Sequence, residues 1–117
     1  MNVTYTILSI FLFCTVAEGQ VKQDSLYAET LIKQIGRYCG TAPDSAIWLA
    51  DSSLQLAKKL NLPTILSKTH YLRGVAFKNQ SKFPESESAY LLAKDIAVEI
   101  GDSLLMADGI YGLGTLK

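Results

Sequence analysis

Apolar side chains recur at three- and four-residue steps along the chain from about residue 24 onward, and Pro, Gly and Asn interrupt them at regular intervals. Apolar residues at these steps fall on one face of an α-helix. Signals for β-strands are absent, because no stretch keeps a strict alternation and no Asn-Gly turn occurs. The pattern therefore predicts an all-α chain in which short turns separate five helices.

The predicted helix boundaries carry local signals. Pro63 and Pro84 open helices, because proline is favoured at the first helical position, where its missing N–H would have no partner. Asn61 and Gly101 follow helices and tolerate the left-handed backbone that closes many of them. Asp102 is placed to cap the last helix. The predicted helices cover residues 24–38, 44–60, 63–80, 84–100 and 103–117.

The chain also matches itself when the helix stop at Asn61 is aligned with the helix stop at Gly101. This 40-residue shift brings Tyr71 onto Tyr111, and it brings Gly74 onto Gly114. A period of this length that contains two helices predicts an array of stacked helical hairpins.

The segment Tyr71-Leu72-Arg73-Gly74-Val75-Ala76-Phe77, followed by Lys82-Phe83, Ala89-Tyr90 and Ala93, resembles a tetratricopeptide repeat. The resemblance extends over about residues 24–117, and the 40-residue spacing resembles the longer-helix variant common in bacterial arrays. It implies antiparallel helical hairpins that stack as a right-handed superhelix. The structural repeat positions implied by it are Gly74, Phe77, Phe83, Ala89, Tyr90, Ala93, Ala97 and Gly114.

Packing between the two helices of a hairpin is predicted to centre on Gly74. A Cβ atom at the point where two helices cross would hold them apart, so glycine suits that position. Phe77, Phe83 and Tyr90 are large enough to fill the space beside the crossing. Ser86 and Arg73 depart from the usual Ala and Leu of the family.

The resemblance further implies a binding function, because such arrays hold a peptide or a partner helix on the concave face of the first helices. Helical spacing then assigns a candidate face to Lys68, Tyr71, Val75, Lys78, Asn79, Asp108, Tyr111 and Thr115. The alternative is a solvated surface that carries two partly packed tyrosines.

The N-terminal segment differs from the rest of the chain. Residues 3–16 are almost wholly apolar or hydroxylic, which is too short for a membrane span of roughly 20 residues and suits the core of a signal peptide. Ala17 and Gly19 supply the small residues that a signal peptidase requires. We expect a signal-peptide helix over residues 1–19 and an exported repeat domain over 20–117, although no Lys or Arg precedes the apolar core. The alternative is a buried N-terminal helix.

Charge and reactive side chains add few candidates for chemistry. The chain has 11 basic and 11 acidic residues, which does not favour binding to nucleic acid or to an anionic membrane. Removal of residues 1–19 would leave Cys39 alone, and we expect it to be a small buried residue. His70 is the only histidine, and no catalytic set, metal site or cofactor site is predicted. Trp48 is expected to pack against the first helix.

The last predicted helix is rich in apolar side chains and has no following helix to cover it; they are Leu104, Leu105, Ile110, Leu113 and Leu116. One interpretation is that the chain is the N-terminal sensor segment of a larger bacterial signalling protein, with a membrane span and an output domain downstream. The other is a stand-alone secreted or periplasmic adaptor that self-associates through this helix. Both make the chain a binding scaffold rather than an enzyme, with a protein or peptide as its partner.

Overall fold

The computed structural model describes residues 22–117, and these residues form five α-helices with no strand among them. The signal-peptide prediction for residues 1–19 lies outside the described residues. The helices are α1 (22–38), α2 (Pro43–Lys59), α3 (Pro63–Asn79), α4 (Phe83–Ile100) and α5 (Ser103–Gly114). The all-α prediction is confirmed, and the predicted helix starts are close to the observed ones.

The helix boundaries follow the predicted signals. Asn61 and Gly101 have positive φ angles of 52° and 71°. The side chain of Asp102 accepts a hydrogen bond of 3.1 Å from the backbone N–H of Leu105, as a capping residue does. Ser81 also has a positive φ of 61°, and no feature of its side chain predicted this. Helix α5 ends at Gly114, before the predicted end at residue 117.

The helices recur at a constant interval. Helices α2, α3, α4 and α5 begin at residues 43, 63, 83 and 103, so that successive starts are evenly spaced along the chain. The buried positions repeat in the same register, because Ala46, Ala50, Ser53 and Ala57 of α2 align one by one with Ser86, Tyr90, Ala93 and Ala97 of α4 under the same shift. Both helices therefore bury the same face.

Each helix packs on its neighbour in sequence, and α3 also contacts α5. One apolar cluster lies where the first three helices meet, and it consists of Ile35, Cys39, Ala46, Ala50 and Ala76. The burial of Cys39 confirms the expectation for this residue, and its Sγ donates to the carbonyl of Gly36 at 3.3 Å. A second cluster joins the same helices through Ala28, Ala57 and Ile65.

The ring of Tyr90 joins α3, α4 and α5. Tyr90 is 1% exposed, and a Cβ atom built on Gly74 would lie 2.7 Å from its ring. A Cβ on Gly112 of α5 would lie 2.5 Å from the same ring. The close approach predicted at Gly74 is confirmed. Gly114, which the 40-residue shift aligns with Gly74, has no atom of another described helix within 4 Å of its position for a Cβ.

Buried hydroxyl groups connect the helices in addition to the apolar contacts. Ser86 donates to the carbonyl of Gly74 at 2.7 Å, and this bond gives the departure from the usual Ala a structural role. Ser67 of α3 donates to the carbonyl of Ala93 at 2.8 Å. The hydroxyls of Ser53 and Thr69 lie 2.8 Å apart between α2 and α3. These buried hydroxyls therefore have partners.

Two packing predictions are wrong. Phe83 is 51% exposed, because it is the first residue of α4 and lies beyond the crossing at Gly74. Trp48 is 70% exposed. The buried face of α2 contains Ala46 and Ala50, and residues two positions away on a helix point to the opposite side. Phe77 is half-buried, and the guanidinium of Arg73 lies 5.2 Å from its ring centre.

Candidate protein-binding face

Helices α3 and α5 pack together and bring part of the predicted binding residues onto one surface. The Nζ of Lys78 donates to Oγ1 of Thr115 at 3.4 Å, which joins the end of α3 to the end of α5. Thr115 in turn donates to the carbonyl of Gly112 at 2.6 Å. This end of the surface is therefore held by hydrogen bonds.

Tyr71 lies at the centre of this surface. Its ring centre is 5.7 Å from that of Tyr90, with the rings tilted by 42°. Burial raises the pKa of the Tyr71 phenol, and neighbouring Tyr90, Asp108 and Tyr111 raise it further. Asp108 and Tyr111 are exposed side chains of α5, so the structure brings both of them near Tyr71. We call Tyr71, Lys78, Asp108, Tyr111 and Thr115 the α3–α5 face.

Val75 and Asn79 lie on the same side of α3 as Tyr71, but their contacts are with the first two helices and the turn between them rather than with α5. Val75 packs against the apolar cluster that contains Ile35 and Ala46. The Nδ2 of Asn79 donates to the carbonyl of Cys39 at 2.6 Å and holds α3 to the end of α1. These two residues, which spacing had assigned to the candidate face, therefore make contacts within the fold. Lys68 is half-buried earlier on α3.

The end of α3 makes three contacts to three different parts of the chain. Lys78 reaches Thr115 after α5, and Asn79 reaches Cys39 after α1. The next residue, Gln80, donates from Nε2 to Oδ1 of Asp44 in the first turn of α2. The last turn of α3 thus fixes the positions of three neighbours.

His70, the only histidine considered as a possible metal ligand or catalytic residue, is buried. His70 is 8% exposed, and its Nδ1 has no hydrogen-bond partner. Burial, followed by the positive charges of Arg73 and Lys58, lowers the pKa of His70 to about 4. The imidazole is therefore neutral at physiological pH. Within residues 22–117, no three His, Cys, Asp or Glu side chains come together as metal ligands would.

A second surface was missed from the sequence. A depression of about 560 Å³ opens between α1 and α2, and it is lined by Gln34, Tyr38, Asp44, Ser45, Trp48 and Leu49. Trp48 lies here because the small side chains of α2 occupy its buried face. The outward direction of Trp48 would have followed from taking that stripe of small residues as the buried one. We call this surface the Trp48 depression.

The helices described between residues 22 and 117 all lack the combination of length and apolar character that a membrane span needs. The structure defines an all-α protein whose helices pack against their neighbours in sequence. Neither family models, nor curated proteins, nor solved structures give a match to this chain.

Proposed function

We propose that this chain is a non-catalytic scaffold of tetratricopeptide type that binds a protein or peptide segment along the α3–α5 face. The observation that carries the proposal is the contact between α3 and α5, whose first residues, Pro63 and Ser103, are related by the 40-residue shift. Equivalent helices of a repeat array line up in this way, and their side chains form one continuous surface. The matching buried positions of α2 and α4 support the same interpretation.

The chemistry of the α3–α5 face suits an extended or helical polypeptide. Tyr71 and Tyr111 combine an apolar ring with a hydroxyl, which is why tyrosine is common at protein interfaces. Lys78 and Asp108 add one charge of each sign. Hydrogen bonds at the Lys78 end limit the side-chain freedom that binding would otherwise remove.

Selection of peptides provides a direct test. The full chain would be screened with a phage library of random 12-residue peptides, and selected peptides would be synthesised for affinity measurements. We expect Tyr111→Ala to weaken their binding about 10-fold, as loss of a central aromatic contact does. Glu99→Ala, at an exposed position of α4, is the control and should leave the affinity unchanged. Failure to select any peptide, or equal affinity for all three proteins, would contradict the proposal.

We further propose that the scaffold is exported and forms the N-terminal sensor segment of a larger bacterial signalling protein. The apolar surface of α5 is exposed, and Leu104 on it is 80% exposed. This exposure supports the proposal that a further helix covers α5 in the larger protein. The even spacing of the helix starts would place the beginning of that helix shortly after Lys117. Reading the native frame beyond Lys117 tests this, and a stop codon there would contradict it. Export is tested by sequencing the N-terminus of the mature protein, which we expect to begin at Gln20.

The alternative is a stand-alone secreted or periplasmic adaptor that self-associates through α5. The same exposed side chains of α5 favour it, because apolar surface of this kind is also covered by a second copy. A complete reading frame that ends at Lys117, together with a dimer in solution, would support the adaptor over the sensor segment.

A further inference from the structure

The Trp48 depression combines two exposed aromatic rings with a single charge. Trp48 is 70% exposed and Tyr38 is 43% exposed, and both line the same open space between α1 and α2. Exposed aromatic residues that share a concave surface are typical of binding sites, since covering them removes a large apolar area from water. The lining residues come from α1 and α2, and one of them, Asp44, also contacts Gln80 at the end of α3.

The charge of the depression is negative. Asp44 is the only charged residue among the six that line it. The two ion pairs found among residues 22–117 join Arg73 to Asp51 and Lys94 to Asp95, so Asp44 has no basic side chain at ion-pair distance among these residues. Oδ1 of Asp44 accepts from Gln80, which holds the carboxylate in place and leaves Oδ2 available. A positively charged group would therefore find an oriented counter-charge here.

We propose that the Trp48 depression binds an arginine side chain of a partner protein. A guanidinium group is planar and weakly hydrated, so it stacks on aromatic rings while it pairs with a carboxylate. Trp48 and Tyr38 offer the rings, and Asp44 offers the carboxylate. Gln34 and Ser45 add oxygen acceptors for the remaining N–H donors of the guanidinium. The volume of about 560 Å³ leaves room for the residues that flank the arginine in a peptide.

The Trp48 depression is separate from the α3–α5 face, and the proposal for the depression does not depend on the function proposed for that face. The two surfaces consist of different residues on different helices. A partner could occupy both, or each could take its own segment. Substitutions in one surface thus test it without removing the side chains of the other.

Trp48 reports on its own site, because it is the only tryptophan of the chain. The full chain would be titrated with a capped alanine pentapeptide that has a central arginine, and Trp48 fluorescence would be recorded. The comparison peptide carries citrulline, which keeps the shape of arginine but has no charge. We expect a saturable change with the arginine peptide and binding at least ~10-fold weaker with the citrulline peptide. Binding to the arginine peptide should also weaken as salt is raised.

Two variants locate the binding. Asp44→Asn keeps an acceptor for Gln80 and removes the charge, so it should weaken binding of the arginine peptide ~5- to 10-fold. Glu99→Gln removes a charge at an exposed position of α4 and should have no effect. Titration calorimetry repeats the measurement without relying on fluorescence. The proposal is overturned by equal binding of the two peptides, by equal effects of the two variants, or by no binding in both methods.

Discussion

The ring of Tyr90 fills a space that glycine leaves open on two helices. Gly74 and Gly112 approach it from α3 and α5, and a Cβ on either would lie within 2.7 Å of ring atoms. Tyr90 is almost completely buried, and the atoms that a Cβ would meet belong to its ring. Substitutions at these glycines must therefore shift the ring or the helix that carries the glycine.

Gly74→Leu is expected to lower the free energy of unfolding by about 2–4 kcal/mol, because the larger side chain overpacks the contact with Tyr90. Urea denaturation followed by circular dichroism measures this change. Gly36→Leu is the matched control, since Gly36 is exposed on α1 and no side chain or neighbouring helix lies within 4 Å of its Cβ position. If both variants had the same stability, the close packing at Gly74 would be refuted.

The burial of His70 predicts a loss of stability in mild acid. Its pKa is lowered from 6.5 to about 4 in the folded protein, so the unfolded chain takes up a proton first as the pH falls. Stability is therefore present in full above pH 6.5 and decreases between pH 6.5 and 4, by on the order of 3 kcal/mol. Urea denaturation at several pH values measures the slope. His70→Leu should remove the part of the slope that His70 causes, and an unchanged slope in this variant would exclude His70 as the cause.

Single residues were predicted well where one local property decides their conformation. Cys39 is small and apolar, and its burial was predicted from that property. Trp48 and Gly112 were missed, because their environment depends on which side of the helix faces a neighbour. The 40-residue shift pointed to Gly114, whereas the close contact falls slightly earlier, at Gly112. That offset depends on how α5 lies across α4, which the repeat period does not contain.

Most helix ends were predicted from the sequence, because proline, glycine, asparagine and aspartate each favour a particular backbone conformation or hydrogen bond at a helix end. Gly101 and Asp102 close α4 and open α5 as expected. The turn before α4 is the exception, since Ser81 adopts a positive φ of 61° that serine seldom takes. Backbone hydrogen bonds from Ser81 to Lys78 and from Lys82 to Phe77 close that turn, and serine is not a residue type that predicts a positive φ.

Asp102→Ala is expected to destabilise the protein by about 1 kcal/mol, because the backbone N–H of Leu105 loses its partner. The change should appear first as loss of helix at the start of α5. Thermal unfolding and amide chemical shifts of residues 103–106 measure it. Asp95→Ala removes an exposed carboxylate in the middle of α4 and serves for comparison. Equal stability of the two variants would show that the cap is unimportant.

The whole molecule leaves α5 with an apolar surface that no described helix covers. Leu104 and Ile110 are both largely exposed there. Such surfaces are costly in water and favour association.

We expect the 117-residue chain on its own to associate as its concentration rises. Combined Leu104→Lys and Ile110→Lys substitutions should shift the average mass towards the monomer, because they place charges on the contact surface. Sedimentation equilibrium measures the mass. Val98→Lys, at an exposed apolar position of α4, controls for the added charge. A wild-type chain that stays monomeric at all concentrations would contradict this expectation.

The last turn of α3 has a consequence for communication between surfaces. Gln80 holds Asp44 in the Trp48 depression, and Lys78 in the same turn holds Thr115 on the α3–α5 face. A ligand that shifts either partner acts on the same helical turn. If a ligand at one surface changes the affinity of the other surface for its ligand by some factor, the second ligand must change the affinity for the first by the same factor. We expect the last turn of α3 to connect the two proposed sites, since it contacts both Asp44 and Thr115.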